Sequence, residues 1–381
     1  MIFKNYIKNA YLSTRVVILG LLGRIFIKSK AKYLPKEGLR NILVIQLERI
    51  GDLVLTTPVF RALRDKFLDS YIVILVNGCN KDIVLGDPNI DEILVYNLKD
   101  SGILSWIKFI KTIQKMHFDL SVDLTGNENM FLPVLISYFS KAKYTIGLNQ
   151  FGRGFLFNIK VNYDPKDKPL TELMFDIVRP LGIYGKDIKP QINVPQEGRI
   201  FARELLPKLN IKNSDLLVGI HPGGYYPSQR WPEKGFAKVA DELIKRYAAK
   251  VLIISGHAEE TIVFKIGSLM QNKPQGIISD ITLQQLIGVI SNLDILICNN
   301  SGPLHIATAL RIPTISTMGP SLPKKWHPIG ENHIIVRKEI KCSPCNLSIC
   351  KRHECMELIT PADILEAIEI QLKNIKKSNK C

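Results

Sequence analysis

Short, uninterrupted apolar runs recur along this chain, each bounded by turn residues and followed by a segment of helical period. That alternation leaves few folds open. After Asn41, the run Ile42-Leu43-Val44-Ile45 has no polar residue facing either side of an extended chain, so both faces must be covered, as in a buried parallel strand. The residues from Thr57 to Arg64 read as the helix behind it, and further strands are expected at Tyr71 to Val76, Glu92 to Tyr96 and Leu120 to Leu124. A second series begins after a Pro- and charge-rich stretch from Lys186 to Lys212. Its strands are expected at Leu216 to Ile220, Val251 to Ile254, Asp294 to Cys298 and Thr314 to Met318, with helices at Phe236 to Tyr247 and Leu283 to Ser291. Alternation of this kind predicts an α/β protein of two doubly wound, Rossmann-like domains facing a central cleft, with ligands at the carboxyl ends of the strands. The expected boundaries are a basic, partly apolar extension over 1–40, a first domain over 41–190, a linker over 191–212, a second domain over 213–360, and a C-terminal helix with a basic tail over 361–381. The 381 residues suffice for both domains, and 46% hydrophobic residues exclude global disorder.

A formal charge of +16 suggests nucleic acid or an anionic membrane as partner. The charge is concentrated at the two ends. Residues 1–40 hold nine basic groups against Glu37 alone, and the last eleven residues add Lys373, Lys376, Lys377 and Lys380 without an acid. Arg15 and Arg24 leave only eight uncharged residues between them, well short of the roughly 20 that cross a bilayer. No small-residue cleavage pattern follows, which argues against a signal peptide. The extension reads as a helix lying on a membrane surface, broken near Gly20 and Gly23, or as a surface helix packed on the protein's own body.

Three turns carry candidate chemistry. Arg49-Ile50-Gly51-Asp52, followed by Thr56-Thr57-Pro58, stands after the first strand; Gly51 permits close backbone approach, and Asp52 is placed to take a proton from a hydroxyl or, alternatively, to cap the helix. His221-Pro222-Gly223-Gly224, completed by Gln229-Arg230-Trp231-Pro232, offers backbone amides and the Arg230 guanidinium to phosphate oxygens, or is simply a turn. Asn299-Asn300-Ser301-Gly302-Pro303-Leu304-His305 opens a helix whose first amides suit an anion, with His305 packed beside the strand as the plainer reading. Neither a Gly-x-Gly-x-x-Gly nor a Gly-Lys-Ser/Thr pattern occurs at the second turn, which disfavours dinucleotide and P-loop enzymes.

Four of the seven cysteines, Cys342, Cys345, Cys350 and Cys355, fall within fourteen residues at spacings that suit a structural zinc, with His353 as a substitute ligand. Disulfide pairing and plain packing of reduced thiols are the competing readings. Between Cys342 and Cys355 there is no aromatic residue for a base to stack on, so nucleic acid is not expected as a partner.

As an ordered set these motifs resemble glycosyltransferase family 9, the ADP-heptose:lipopolysaccharide heptosyltransferases. The resemblance runs over about residues 41–372. It includes Asp123-Leu124, Gly256 followed by Glu259, Ser301 through Ala307, and Gly319-Pro320. It implies a GT-B fold with the acceptor on the N-terminal domain and the nucleotide sugar on the C-terminal one. Transfer would be inverting and would need no metal or other cofactor. On that resemblance Asp52 matches the catalytic base, with Arg49, Gly51 and Thr56 on the acceptor side. Gly223, Gly224, Arg230, Asn300, Ser301, Gly302 and His305 would meet the donor and its diphosphate, and Glu259 the ribose. Many members carry Lys at the position of Gln229 and Asp at that of Asn300, which opens the identity of the donor sugar. The partners implied are a nucleotide sugar such as ADP-heptose, a lipid-linked glycan acceptor and an anionic membrane surface, with the protein peripheral on the inner face of the cytoplasmic membrane. The alternatives are another GT-B sugar-nucleotide enzyme (a hexosyltransferase or a 2-epimerase), an inactive sugar-binding relative, and a nucleic-acid binder.

Overall fold

The computed structural model describes residues 2–26, 38–97, 102–162, 168–256 and 259–378, and the chain divides into a unit of Met1–Ile188 and a unit of Lys189–Cys381. Lys28, Lys30, Lys32 and Lys36 of the extension, and Lys380 of the tail, lie outside the described residues.

In the first unit β1 (Asn41–Gln46), β2 (Tyr71–Asn77), β3 (Glu92–Tyr96), β4 (Leu120–Asp123), β5 (Tyr144–Leu148) and β6 (Ile159–Val161) form one sheet in the order β3-β2-β1-β4-β5-β6. Every pairing is parallel, with Ile42 opposite both Ile72 and Leu120. The helices are α1 (Ile2–Phe26), α2 (Ile50–Lys66), α3 (Ile103–Lys115), α4 (Leu132–Phe139) and α5 (Leu170–Val178). β5 escapes detection in the sequence because it is interrupted by Gly147. That glycine is needed: a Cβ there would run into the Phe157 ring.

The second unit repeats the plan. β7 (Leu217–His221), β8 (Lys250–Ile254), β9 (Gly276–Ile278), β10 (Ile295–Asn299), β11 (Thr314–Thr317) and β12 (His333–Val336) pair in the order β12-β11-β10-β7-β8-β9, again all parallel. Around it lie α6 (Gln196–Lys208), α7 (Glu233–Tyr247), α8 (Glu260–Leu269), α9 (Leu283–Ile290), α10 (Gly302–Ala309) and the closing helix Pro361–Ser378. Most of the 191–212 stretch, which composition suggested as a linker, is helix α6. It packs on α9 so closely that a Cβ on Gly198 would meet Gln284 O and one on Gly288 would meet Gly198 O.

In each sheet the chain starts centrally, winds one way, then crosses to continue on the other side. The strand direction of travel therefore reverses between β1 and β4, and between β7 and β10, and at such switch points loops diverge and leave a crevice. Both sites described below sit at these points.

The N-terminal helix departs from expectation. α1 is continuous through Gly20 and Gly23. Gly23 lets it approach the carbonyl of Phe155, whose oxygen would lie 2.5 Å from a Cβ, and Arg15 is buried, donating to Asn129 Oδ1 at 3.1 Å and to Glu128 O. Among the described residues no helix is long and apolar enough to cross a membrane.

Candidate functional site

In the first unit, the loop after β1 runs directly into α2. Arg49 is the residue that caps the helix, with extended backbone and no side-chain cap hydrogen bond, and Asp52 lies three residues further in, half-buried in the first turn. The capping alternative for Asp52 is thereby corrected: its carboxylate stands where the helix dipole favours negative charge. Gly51 is buried. Thr56 is also buried. Its hydroxyl donates to Asp52 O at 2.7 Å and accepts from Gln46 Nε2 at 3.1 Å, and Gln46 Nε2 donates as well to Leu124 O at 2.9 Å. Thr56 therefore braces the Asp52 turn from behind.

α2 contains Pro58, whose missing N–H orphans the carbonyl of Val54. The Thr57 hydroxyl supplies the donor, at 2.8 Å. Across the switch point, Glu48 Oε2 accepts the Gly126 N–H at 2.9 Å and joins the β1 and β4 loops. Asp123 closes β4 with a fully buried ion pair: Arg153 Nη2 donates to its Oδ2 at 2.6 Å, Arg153 Nε donates to Met130 O at 2.8 Å, and Thr125 N–H donates to Asp123 Oδ1 at 2.9 Å.

In the second unit Asn299, the last residue of β10, organises the loops. Its Nδ2 donates to Pro222 O at 2.6 Å and Gly223 O at 3.0 Å, while its Oδ1 accepts from Trp231 N–H at 2.9 Å and the Thr317 hydroxyl at 2.7 Å. Every hydrogen-bonding position of this fully buried carboxamide is used. The ring of Trp231 is held in turn by Nε1 donating to Ile359 O at 2.8 Å.

Glu259 lies over the Gly223-Gly224 turn. Its Oε1 accepts the Gly224 N–H at 2.8 Å, its Oε2 is 3.6 Å from His221 Nε2, and a Cβ on Gly223 would overlap its carboxylate. The Gly224 amide expected to meet a diphosphate is thus engaged by Glu259, which tightens the turn. Burial lowers the His221 imidazole's basicity more than Glu259 raises it, so His221 is neutral beside that carboxylate. Arg230 Nε donates to Gly224 O at 2.8 Å, fixing the guanidinium at the turn, and Gln229 Nε2 donates to Ser321 Oγ at 3.0 Å.

Ser301 precedes α10 in extended conformation without capping it. Its hydroxyl donates to Asn299 O at 3.3 Å, Gly302 is the first helical residue, and Pro303 brings no N–H. Asn300 is buried, its N–H bonded to Thr317 O at 3.1 Å. His305 is buried with Nδ1 unpaired, and burial, then His333, lowers its pKa to about 4.

The cysteine loop packs against the turns of the second unit. Among the described residues no three or more His, Cys, Asp or Glu groups are arranged to hold a metal, and the cysteines are free thiols. His353 Nε2 lies 3.1 Å from Ser228 O, so its ring bonds to the turn that precedes Gln229. Cys342 and Cys345 are exposed while Cys355 is buried, and burial followed by the neighbouring thiols of Cys345, Cys342 and Cys350 pushes the Cys355 thiol up. The loop works as a brace: Cys345 and Asn346 N–H groups donate to Pro320 O, and the Ser228 hydroxyl donates to Leu347 O at 2.5 Å.

Sequence reasoning missed Gln46, Glu48, Arg153 and the use made of Asn299. The available signal was a polar residue directly ending an apolar strand, as Gln46 follows Ile45 and Asn299 follows Cys298.

Each unit is a doubly wound domain with polar groups at its switch point, a carboxylate in the first and a glycine turn, an arginine and an open helix start in the second, the architecture of the GT-B fold. The model of Glycosyltransferase family 9 (heptosyltransferase) matches residues 106–356, and the chain belongs to that family. It is similar to lipooligosaccharide heptosyltransferase 2 of Campylobacter jejuni, 23% identical over 330 residues that cover 84% of this chain and 95% of that one. Its fold matches the crystal structure of a family 9 glycosyltransferase from Veillonella parvula with a TM-score of 0.76 at 24% identity, covering 88% of this chain and 97% of that one. It also matches the ADP-heptose lipopolysaccharide heptosyltransferase II of Escherichia coli with a TM-score of 0.73 at 20% identity, covering 88% and 99%.

Proposed function

We propose that this enzyme transfers heptose from ADP-heptose to a hydroxyl of a lipopolysaccharide-core or similar lipid-linked glycan, with inversion at the anomeric carbon. The observation that carries the reading is the placement of Asp52 in the first turn of α2 at the switch point, braced by Thr56 and Gln46. In this mechanism the Asp52 carboxylate takes the acceptor hydroxyl proton as that oxygen bonds to the anomeric carbon. The bond from that carbon to the diphosphate breaks and ADP leaves with its electrons. Arg230 and the amides at Ser301 and Gly302 stabilise the charge on the leaving diphosphate, and Glu259 acts by holding the Gly223-Gly224 turn. His221 and His305, both neutral, add no charge to this side. The enzyme works as a peripheral protein on the inner face of the cytoplasmic membrane, where a lipid-linked acceptor is made.

The test is a panel of ADP-, GDP- and UDP-sugars, scored by nucleoside diphosphate release and product mass. ADP-heptose is expected to be the productive donor, and Asp52→Ala to lower turnover by about a thousandfold or more, the upper part of the range for a general base, with donor affinity nearly unchanged. Turnover with a GDP- or UDP-sugar alone, or an active Asp52→Ala enzyme, overturns the reading.

A further inference from the structure

We infer that the first unit docks on an anionic lipid bilayer through a face built jointly by α1, the end of α4 and the start of α3. α1 turns one side onto the segment Gln150–Leu156 and leaves the other bare: Val17, Leu21 and Ile25, four residues apart along one stripe, are 62%, 54% and 68% exposed. At the other end of the face the first turn of α3 holds Ile103 and Leu104, 78% and 83% exposed, with Ile107 beside them. Helix starts carry polar residues by preference, so an isoleucine and a leucine facing water there need another explanation.

A row of rings connects the two. Phe26 at the end of α1 meets Tyr138 at 6.4 Å, Tyr138 meets its neighbour Phe139 at 5.2 Å, and Phe139 meets Trp106 of α3 at 6.4 Å, each edge to face. Phe26 and Phe139 are themselves half-exposed. The apolar surface is therefore continuous across three elements.

The charge around it selects the occupant. α3 continues past its apolar turn with Lys108, Lys111 and Lys115 on its exposed side, Lys141 and Lys143 follow α4, and Arg24 belongs to α1. No Asp or Glu occurs in residues 2–26, 102–118 or 129–162, which supply the whole face. Two copies of this chain meeting there would oppose cation to cation. An anionic bilayer takes the apolar side chains at its interface and the lysine heads among its phosphates. Helix α1 is thus one part of a docking face that α3 and α4 complete.

The inference deepens the proposed membrane location but needs no sugar chemistry, so its test contains none. Full-length protein is sedimented with vesicles of phosphatidylcholine alone and of phosphatidylcholine mixed equally with phosphatidylglycerol. Binding to the mixed vesicles is expected to exceed binding to the neutral ones and to weaken with added salt. Leu104→Glu, at a side chain already in water, should lower the partition coefficient by about tenfold or more while leaving the thermal midpoint unchanged. Lys108→Glu with Lys111→Glu should remove the preference for the anionic vesicles. Equal binding by wild type and Leu104→Glu overturns the face, as does absence of binding to either vesicle. Self-association in sedimentation velocity that Leu104→Glu abolishes would assign the face to a second copy instead.

Discussion

The Asp123–Arg153 pair shows how much of this enzyme's residue-level design lies behind its chemistry. Both side chains are fully buried, and Arg153 also reaches the carbonyl of Met130. Removing one partner of such a pair leaves a charge without water or counterion, and Arg153→Met is expected to lower unfolding free energy by about 3–5 kcal/mol in denaturant titration. Two histidines whose basicity is lowered by their surroundings carry a pH dependence of definite sign. His305 and His333 have pKa values lowered to about 4 in the folded chain, against about 6.5 unfolded. Between those values the unfolded chain binds more protons than the folded one, so the stability is complete above pH 6.5 and is lost as pH falls toward 4. Thermal midpoints at pH 7 and pH 5 should show that loss, and His305→Gln should show a smaller drop between the same two pH values. Residues of this kind were only half legible in the sequence. Asp52 drew attention because a carboxylate after a strand has a chemical use, whereas Arg153 stands in a glycine-rich segment with no periodicity and has its partner thirty residues away.

At the level of elements, legibility followed strand burial. β1, β2 and β10 are covered on both faces and read as continuous apolar runs. β6 and β9 have three residues each, and β12 is a half-exposed edge, so none has a period to detect. Helix α6 was hidden for another reason. Its charged outer face lets it pass for a linker, while Gly198, Phe201, Ala202, Leu205 and Leu206 form a narrow inward stripe and Gly198 brings it close to α9. That contact leaves no room for a methyl group at Gly288, whose Cβ would fall on the Gly198 backbone. Gly288→Ala must push the helices apart, and a loss of about 1–3 kcal/mol in chemical unfolding is expected, in spite of alanine's better helix propensity. An unchanged or raised midpoint would show that the two helices adjust freely. The cysteine loop belongs here as well: spacing suggested a metal, and hydrogen bonds to Pro320 and Ser228 show a brace for the loops around the second site.

Across the whole molecule, the +16 charge first pointed to nucleic acid. Resolved onto the fold, part of it rings an apolar face on the first unit, and the two switch points carry the groups to which the proposed sugar transfer is assigned. Fold class was legible from alternation alone. The α3 part of the proposed docking face was not, because Leu104 looks like a core residue until the structure shows it in solvent. The central claim is that Asp52 drives an inverting transfer. Its most direct test is NMR of the anomeric centre in the product formed from ADP-heptose on a lipid-linked core acceptor, run with the wild type and with Asp52→Asn. The account predicts product of opposite anomeric configuration to the donor from the wild type and none above background from Asp52→Asn; product of the same configuration, or product from the variant, would contradict it.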